Sequence, residues 1–275
     1  LLARNEAAAR TSGGINGGGK GMVLVETRAL VKRFGAFTAV DGISFKVERG
    51  EVVGFLGPNG AGKSTTMKII AGFLEPSEGS AYVAGHDSQL EPIEARRRLG
   101  YLPEGAPAYP DMTVGAFLEF VAAMRGLGRA EARDRLAQLV ERIDLAEVWS
   151  RRIEALSKGF KRRVGIAQAL VHDPDVLILD EPTDGLDPNQ KHEMRELIRT
   201  LAPTKAIVVS THILEEVEAI CTRAIVIARG KLLADSTPAE LLAKAPARDS
   251  SVPQLVRTTP LEDAFRHITL ETAGS

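Results

Sequence analysis

From Val23 onward, apolar and polar positions fall into short runs that switch between a two-residue period and a period near four. The runs VLVETR (23–28), ISFKVE (43–48) and EVVGFLG (51–57) predict strands, with ERGE turning the chain between the last two. GKSTTMKIIAGFL places Met67, Ile70 and Leu74 on one face and predicts a helix, and SAYVAG predicts a short strand ending in glycine. Residues 111–172 carry helical periodicity almost throughout, punctuated at Gly126, Gly128 and Asp144-Leu145. Strand-type runs return at 175–180, 205–210, 223–228 and 231–235, with helices predicted over NQKHEMRELIRTL and ILEEVEAI between them. Strands alternating with helices predict an α/β fold, a parallel sheet covered on both faces, here interrupted by a helical insertion near 100–172.

Composition narrows this little. A chain of 275 residues can bury a sizeable core, and 44% hydrophobic with 26% charged residues is ordinary for a globular protein. The net charge of -1 argues against nucleic-acid binding by bulk electrostatics. Cys221 is the only cysteine, which excludes an intrachain disulfide or a cysteine-rich metal site and suits a reducing cytosol. No apolar run approaches the roughly 18 to 20 residues that span a bilayer, so a membrane role requires a partner. Residues 1–21 lack a signal-peptide pattern and read as a flexible extension or expression remnant. Residues 245–275 read as a polar linker followed by a short helical piece, LEDAFRHIT.

Two motifs carry chemistry. GPNGAGKST follows a predicted strand and opens a predicted helix, and Gly57, Gly62, Lys63 and Ser64 fill the phosphate-loop pattern G-x-x-x-x-G-K-[ST]. Glycines let backbone N–H groups turn inward on phosphate oxygens, and the helix N-terminus adds its positive dipole end. Lys63 is expected to reach the β- and γ-phosphates and the Ser64 hydroxyl to ligate Mg²⁺. In VLILDEP, Asp180 ends a buried strand and suits Mg²⁺, while Glu181 suits either a general base or a surface loop.

The ordered set GPNGAGKST, YLPE, LSKGF, VLILDEP, GLDP and STH resembles the ATP-binding subunit of an ABC (ATP-binding cassette) transporter over residues 22 to about 235. The longer strings GYLPEGAPAYPDMTV, LSKGFKRRVGIAQAL and STHILEEVEAIC resemble its exporter-type branch, which includes gliding-motility-associated ATPases. The resemblance implies a P-loop NTPase core with a mostly parallel sheet and an N-terminal antiparallel β subdomain. It also implies an inserted α-helical subdomain at about 101–172, the whole ATP-binding domain covering 22–244. The cofactors implied are ATP and Mg²⁺. The nucleotide would be held by Gly57, Pro58, Asn59, Gly60, Ala61, Gly62, Lys63, Ser64 and Thr65, with adenine stacked on Phe34. Ser157 and Gly159 of LSKGF would act in trans on the γ-phosphate held by a second subunit, and Asp187 of GLDP would couple the two. Glu181, His212 and Lys63 would be catalytic, and Ser64, Asp180 and Glu104 would hold the metal.

The chain departs from the family pattern at three of these places. Lys158 replaces a glycine, Phe160 a glutamine, and Glu104 stands where many relatives have a glutamine. Lys158 is read either as a cation near the trans phosphate or as a solvated lysine, and Phe160 as a packing residue. The partners implied are a second ABC ATPase subunit, identical or different, and transmembrane permease subunits, with no nucleic acid and a place on the inner face of the cell membrane. A soluble ABC ATPase acting on ribosomes or DNA is the alternative. One phosphate loop, no sustained heptads and no block of five like charges weigh against it. A small-molecule kinase would lack LSKGF, GLDP and STH.

Overall fold

A computed structural model describes residues 21–243 and residue 265. The chain opens with two long strands, β1 (Val23–Phe34) and β2 (Phe37–Glu48), joined by a tight turn, and continues into β3 (Val52–Leu56). Then come α1 (Lys63–Ile70), β4 (Glu78–Val83), β5 (His86–Asp87), α2 (Pro92–Arg97) and β6 (Leu99–Leu102). Helices α3 (Val114–Met124), α4 (Arg129–Arg142) and α5 (Lys158–Leu170) follow, with two short 3₁₀ turns between the last two. The remainder is β7 (Val176–Asp180), α6 (Pro188–Leu201), β8 (Ala206–Thr211), α7 (Leu214–Ile220), β9 (Arg223–Ala228), β10 (Lys231–Ser236) and α8 (Pro238–Ala243).

The strands form two sheets. One is antiparallel, in the order β2-β1-β4-β5. The other runs β10-β9-β3-β8-β7-β6 and is parallel except for β10 on its edge. This is the α/β architecture expected. The near-continuous apolar strands have a simple cause, since both faces of the second sheet are covered. Along β7, Val176 and Ile178 join a core shared with α1 and the antiparallel sheet, while Leu177 and Leu179 join a core built with α3, α4, α5 and α6. Every residue of β3, β7 and β8 is buried. Cys221 lies under β3, within contact of Gly54, and burial pushes its thiol up to about 12, which leaves it an inert packing group.

Three departures from the sequence pattern have local reasons. The first helix stops at Ile70 rather than running to Leu74, because Gly72 takes φ +71° and the Phe73 and Leu74 amides fold back on the Lys68 carbonyl. Residues 99–102, for which no strand was predicted, form β6, which pairs with β7 through Leu99↔Val176 to Leu102↔Leu179. Four residues are too short a run for periodicity to show, and only pairing makes them a strand. Helix α2, with Pro92 in its first turn, was likewise not predicted. The readings of residues 1–20, of the linker, and of LEDAFRHIT apart from the helical Phe265 lie outside the described residues.

Helix α5 is pressed against its neighbours by small residues. A Cβ on Gly165 would lie 2.5 Å from Leu102 and 3.0 Å from Ala106, and one on Gly100 of β6 would lie 2.2 Å from the Ala169 carbonyl oxygen. At the far end of the helix, His172 Nε2 lies 3.0 Å from the Leu99 carbonyl oxygen, so the neutral ring carries its proton there. Burial first, then the Arg125 charge, lowers its pKa from 6.5 to about 4. The unfolded chain therefore takes up a proton below pH 6.5 that the folded chain refuses until about pH 4. The stabilising effect of the neutral ring is complete above pH 6.5 and is lost as pH falls toward 4. Between neutral pH and pH 5 this site is expected to remove about 1–2 kcal/mol of stability. Urea unfolding of His172→Gln, whose amide can still donate to Leu99, should show that much less acid dependence than the unsubstituted chain.

Candidate functional site

The carboxyl ends of β3, β7 and β8 lie side by side, with Leu56 paired to Thr211 and Asp180 to Ser210. The phosphate-loop, DEP and STH motifs are thus delivered to one edge of the sheet, where open α/β sheets place their ligands. A cleft of about 550 Å³ opens there, lined by residues 59–65 together with Phe34, Phe37, Ala39, Glu104, Glu181, Asp184 and His212.

The phosphate loop is shaped by glycine. Gly60 takes φ +78° and Gly62 φ +106°, and a Cβ on Gly62 would lie 2.4 Å from the Ala39 carbonyl oxygen. Gly57 and Pro58 do not line the cleft. Their carbonyls instead accept hydrogen bonds from Lys63 Nζ at 2.7 and 3.2 Å. Burial pushes the Lys63 ammonium below the ordinary lysine range, opposed by the carboxylates of Glu181, Asp180 and Glu104.

Asp180 is 2% exposed. Its Oδ1 accepts from Ser210 Oγ and, at 3.3 Å, from Ser64 Oγ. Two hydroxyls from two other elements therefore satisfy a carboxylate that burial would otherwise penalise. Ser64 and Asp180 meet as the spacing suggested, and Glu104 faces the same cleft from the loop after β6. Among the described residues no group of three or more His, Cys, Asp or Glu side chains converges to hold a metal. The donor set is one hydroxyl and one carboxylate, the kind that holds Mg²⁺ together with phosphate oxygens and water.

Glu181 and His212 are in contact, with His212 Nδ1 at 3.0 and 3.1 Å from the two carboxylate oxygens. Glu181 sits in the left-handed backbone region at φ 50°, a conformation uncommon for a residue with a side chain. Its amide is held by the Ser210 hydroxyl and carbonyl at 3.1 and 3.2 Å. Burial raises its pKa above the ordinary glutamate range despite His212 and Lys63.

Ser157, Gly159 and Asp187 do not line the cleft. Ser157 caps α5, accepting from the Phe160 amide at 3.3 Å, and Asp187 caps α6 in a reciprocal capping box with Gln190. The two caps are neighbours. A Cβ on Gly159 would lie 2.7 Å from the Gln190 side chain, and Lys158 Nζ lies 3.4 Å from where a Gly185 Cβ would stand. Phe160 packs against the core of the helical region under the Arg163 guanidinium.

Three cleft-side residues were not anticipated. Phe37 pairs with Phe34 across the β1–β2 turn, and both rings are exposed, at 62% and 50%. Two aromatics flanking Gly35-Ala36 were the available signal. Asp184 adds a further carboxylate. Arg162 is buried on α5 with one guanidinium nitrogen unpartnered among the described residues, and Asp184, Glu104, Asp180 and Glu181 oppose the effect of its burial. Only the fold brings that cation near those acids.

Comparison with known proteins agrees with this geometry. The sequence model of the family described as "ABC transporter" matches residues 40–184, more than half of the chain. The chain belongs to the ABC transporter family. Within it, the chain is 40% identical over 220 residues to the Nod factor export ATP-binding protein I of Ralstonia nicotianae, covering 80% of this chain and 68% of that protein. It is also 40% identical over 230 residues to the protein named "Probable multidrug ABC transporter ATP-binding protein YbhF" of Escherichia coli (strain K12). That match covers 83% of this chain but 39% of the relative's length. A solved structure described as "Structure of ATP binding subunit of ABC transporter" superposes with a TM-score of 0.77 at 32% identity, covering 90% of this chain and 99% of the other. The ABC transporter ATP-binding domain is an ATPase domain, and the fold found here is that of its solved relatives.

Gly62→Ala tests the loop geometry. The methyl group cannot be accommodated against Ala39 at the observed φ, so the loop must change shape, at a cost of about 1–3 kcal/mol. Titration with a fluorescent ATP analogue should show binding lost or weakened at least about tenfold while the far-ultraviolet circular dichroism is kept.

Proposed function

We propose that this chain is the ATP-binding and ATP-hydrolysing subunit of an ABC transporter, two such subunits closing head to tail on ATP to drive a separate membrane permease. The observation that carries the reading is the division of the motifs. The phosphate loop, Glu104, Glu181 and His212 share one cleft, whereas Ser157, Gly159 and Asp187 stand outside it. A second subunit presenting its own Ser157 and Gly159 would complete the site.

In this reading residues 57–65 cradle the phosphates, Phe34 stacks adenine, and Lys63 leaves the Gly57 and Pro58 carbonyls for the β- and γ-phosphates. Ser64, Asp180 and Glu104 would hold Mg²⁺. The ion when bound neutralises phosphate charge. Glu181 takes the proton of the attacking water, its raised pKa bringing it nearer neutrality, and His212 orients the Glu181 carboxylate and reaches the γ-phosphate. Residues 22–244 act as one ATP-binding domain, with the helical segment at about 101–172 as its subdomain.

The permease would dock in the groove between the sheet core and that helical segment, on the loop that follows Glu104. Tyr109 on that loop and Phe120 on α3 are exposed, and their rings lie 5.8 Å apart. No helix among the described residues is long and apolar enough to cross a membrane, which fits a chain placed on the cytoplasmic face by its partner. The name of the Nod factor export relative supports export as the direction. Co-purification with membrane proteins encoded beside the gene, followed by ATPase assays of the complex, tests the assignment.

Two substitutions test the site. Glu181→Gln should keep binding of a fluorescent ATP analogue and lose about 10²–10⁴-fold in phosphate release. Turnover near that of the unsubstituted chain removes Glu181 as the base. Lys158→Ala, at an exposed position, should weaken ATP-dependent dimerisation about 2- to 5-fold, as measured by light scattering. Unchanged dimerisation and hydrolysis would leave Lys158 a solvated side chain lying over Gly185.

A further inference from the structure

Glu216 is a buried carboxylate that no motif above accounts for. It lies on α7, is 1% exposed, and has both oxygens engaged. One accepts from the Thr183 hydroxyl, and the other accepts from the Thr211 hydroxyl at 3.0 Å. Thr183 stands two residues after Glu181, and Thr211 immediately precedes His212. Since Glu181 and His212 also touch, the bonds close a ring from Glu181 through Pro182 and Thr183 to Glu216, on through Thr211 to His212, and back to Glu181. Thr211 is itself locked, its hydroxyl oxygen accepting from the Ile213 amide at 3.0 Å.

We propose that Glu216 is a positioning residue for ATP hydrolysis: by bridging Thr183 and Thr211 it fixes the loop after β7 to the end of β8, and so holds Glu181 against His212. The inference rests on the assignment of Glu181 and His212 to hydrolysis. The physical need is plain. Glu181 sits in an unfavourable backbone conformation at the end of β7, and the loop behind it is short and partly exposed. A strained carboxylate holds its direction only if the surrounding structure over-determines it. A carboxylate with two acceptor oxygens in a fixed fork can tie a loop hydroxyl and a strand-end hydroxyl at once, and burial strengthens both bonds. Helix α7 can supply the acid because it starts just past His212 and packs on β3 and β8.

Glu216→Ala is expected to lower kcat about 10- to 100-fold, the size of effect that a displacement of reacting groups near 1 Å produces, while affinity for a fluorescent ATP analogue changes less than about threefold. Glu216→Gln should restore most of the loss. Its carbonyl oxygen accepts from one threonine and its amide donates to the other, since a hydroxyl serves in either role. The readout free of turnover is the ¹⁵N resonance of the His212 ring. In Glu216→Ala the Nδ1 signal should move toward its position in Glu181→Ala, where the partner is gone, and in Glu216→Gln it should stay near the unsubstituted value. Thr183→Val and Thr211→Val each remove one arm and should give intermediate losses, so they carry the test if Glu216→Ala does not fold. The proposal is overturned by an unmoved Nδ1 resonance in Glu216→Ala or in both valine variants. It is equally overturned by a loss confined to ATP affinity, or by Glu216→Gln being as defective as Glu216→Ala. If the unsubstituted chain hydrolyses no ATP, the functional assignment fails, and the resonance still reports whether the bracket holds the Glu181–His212 contact.

Discussion

The structure is organised around one carboxylate withdrawn from water. Asp180 ends the fully buried strand β7 at 2% exposure, and it is tolerable there because hydroxyls from α1 and β8 donate to it. Those two donors, Ser64 and Ser210, tie the start of the phosphate-loop helix and the end of the neighbouring strand to the same oxygen. Ser210 in addition holds the amide of Glu181. A small error in the register of β7 against β8 would break this set at once, so the burial cost of a single charge keeps three motifs aligned. The hydrophobic sandwich around β7, with Val176 and Ile178 on one face and Leu177 and Leu179 on the other, makes that register the one that buries every side chain.

Around this centre the chain uses small residues where backbones must come close. Gly100, Gly159 and Gly165 bring α5 against β6, the α6 cap and the loop after β6. The helix that begins at Ser157 therefore touches both the loop bearing Glu104 and the turn bearing Asp187. This gives the helical segment a physical route to the cleft, through direct side-chain contact rather than through the sheet. The two helix caps, Ser157 and Asp187, satisfy their own amides and sit beside each other on the surface. They stand apart from the cleft of their own chain, where a second subunit could meet them.

Electrostatics in the cleft follow from the same crowding. Four carboxylates, Glu104, Asp180, Glu181 and Asp184, come close to Lys63 and Arg162, and burial works on both signs of charge. Lys63 is pushed toward giving up its proton and Glu181 toward keeping one, and each opposes the shift of the other. Shifts of this kind, set by burial and opposed by specific charge partners in a cleft, are characteristic of functional sites.

Much of this was legible along the chain. The apolar runs of β3, β7 and β8, the glycine spacing of residues 57–64, and the adjacency of Asp180 and Glu181 are local features, because strand burial, loop shape and helix capping depend on neighbours in sequence. The six motifs in order also sufficed to name the family and the α/β class. What the sequence could not decide was anything set by contacts between distant segments. Leu99–Leu102 becomes a strand only when β7 lies beside it, and Phe37 joins Phe34 only through the register of β1 with β2. Arg162 comes within electrostatic range of the acids of the cleft through the packing of α5, where Gly165 faces Leu102 and Ala106. Glu216 looks like one more charge on a helix until the fold turns it inward onto Thr183 and Thr211, 33 and 5 residues away. The sequence by itself determined the family and which groups are candidates for its chemistry, since that is a matter of residue type and spacing. The tertiary structure decided which of them meet and which buried groups hold them in place, since hydrogen bonds and close packing between remote segments exist only once the chain has closed on itself.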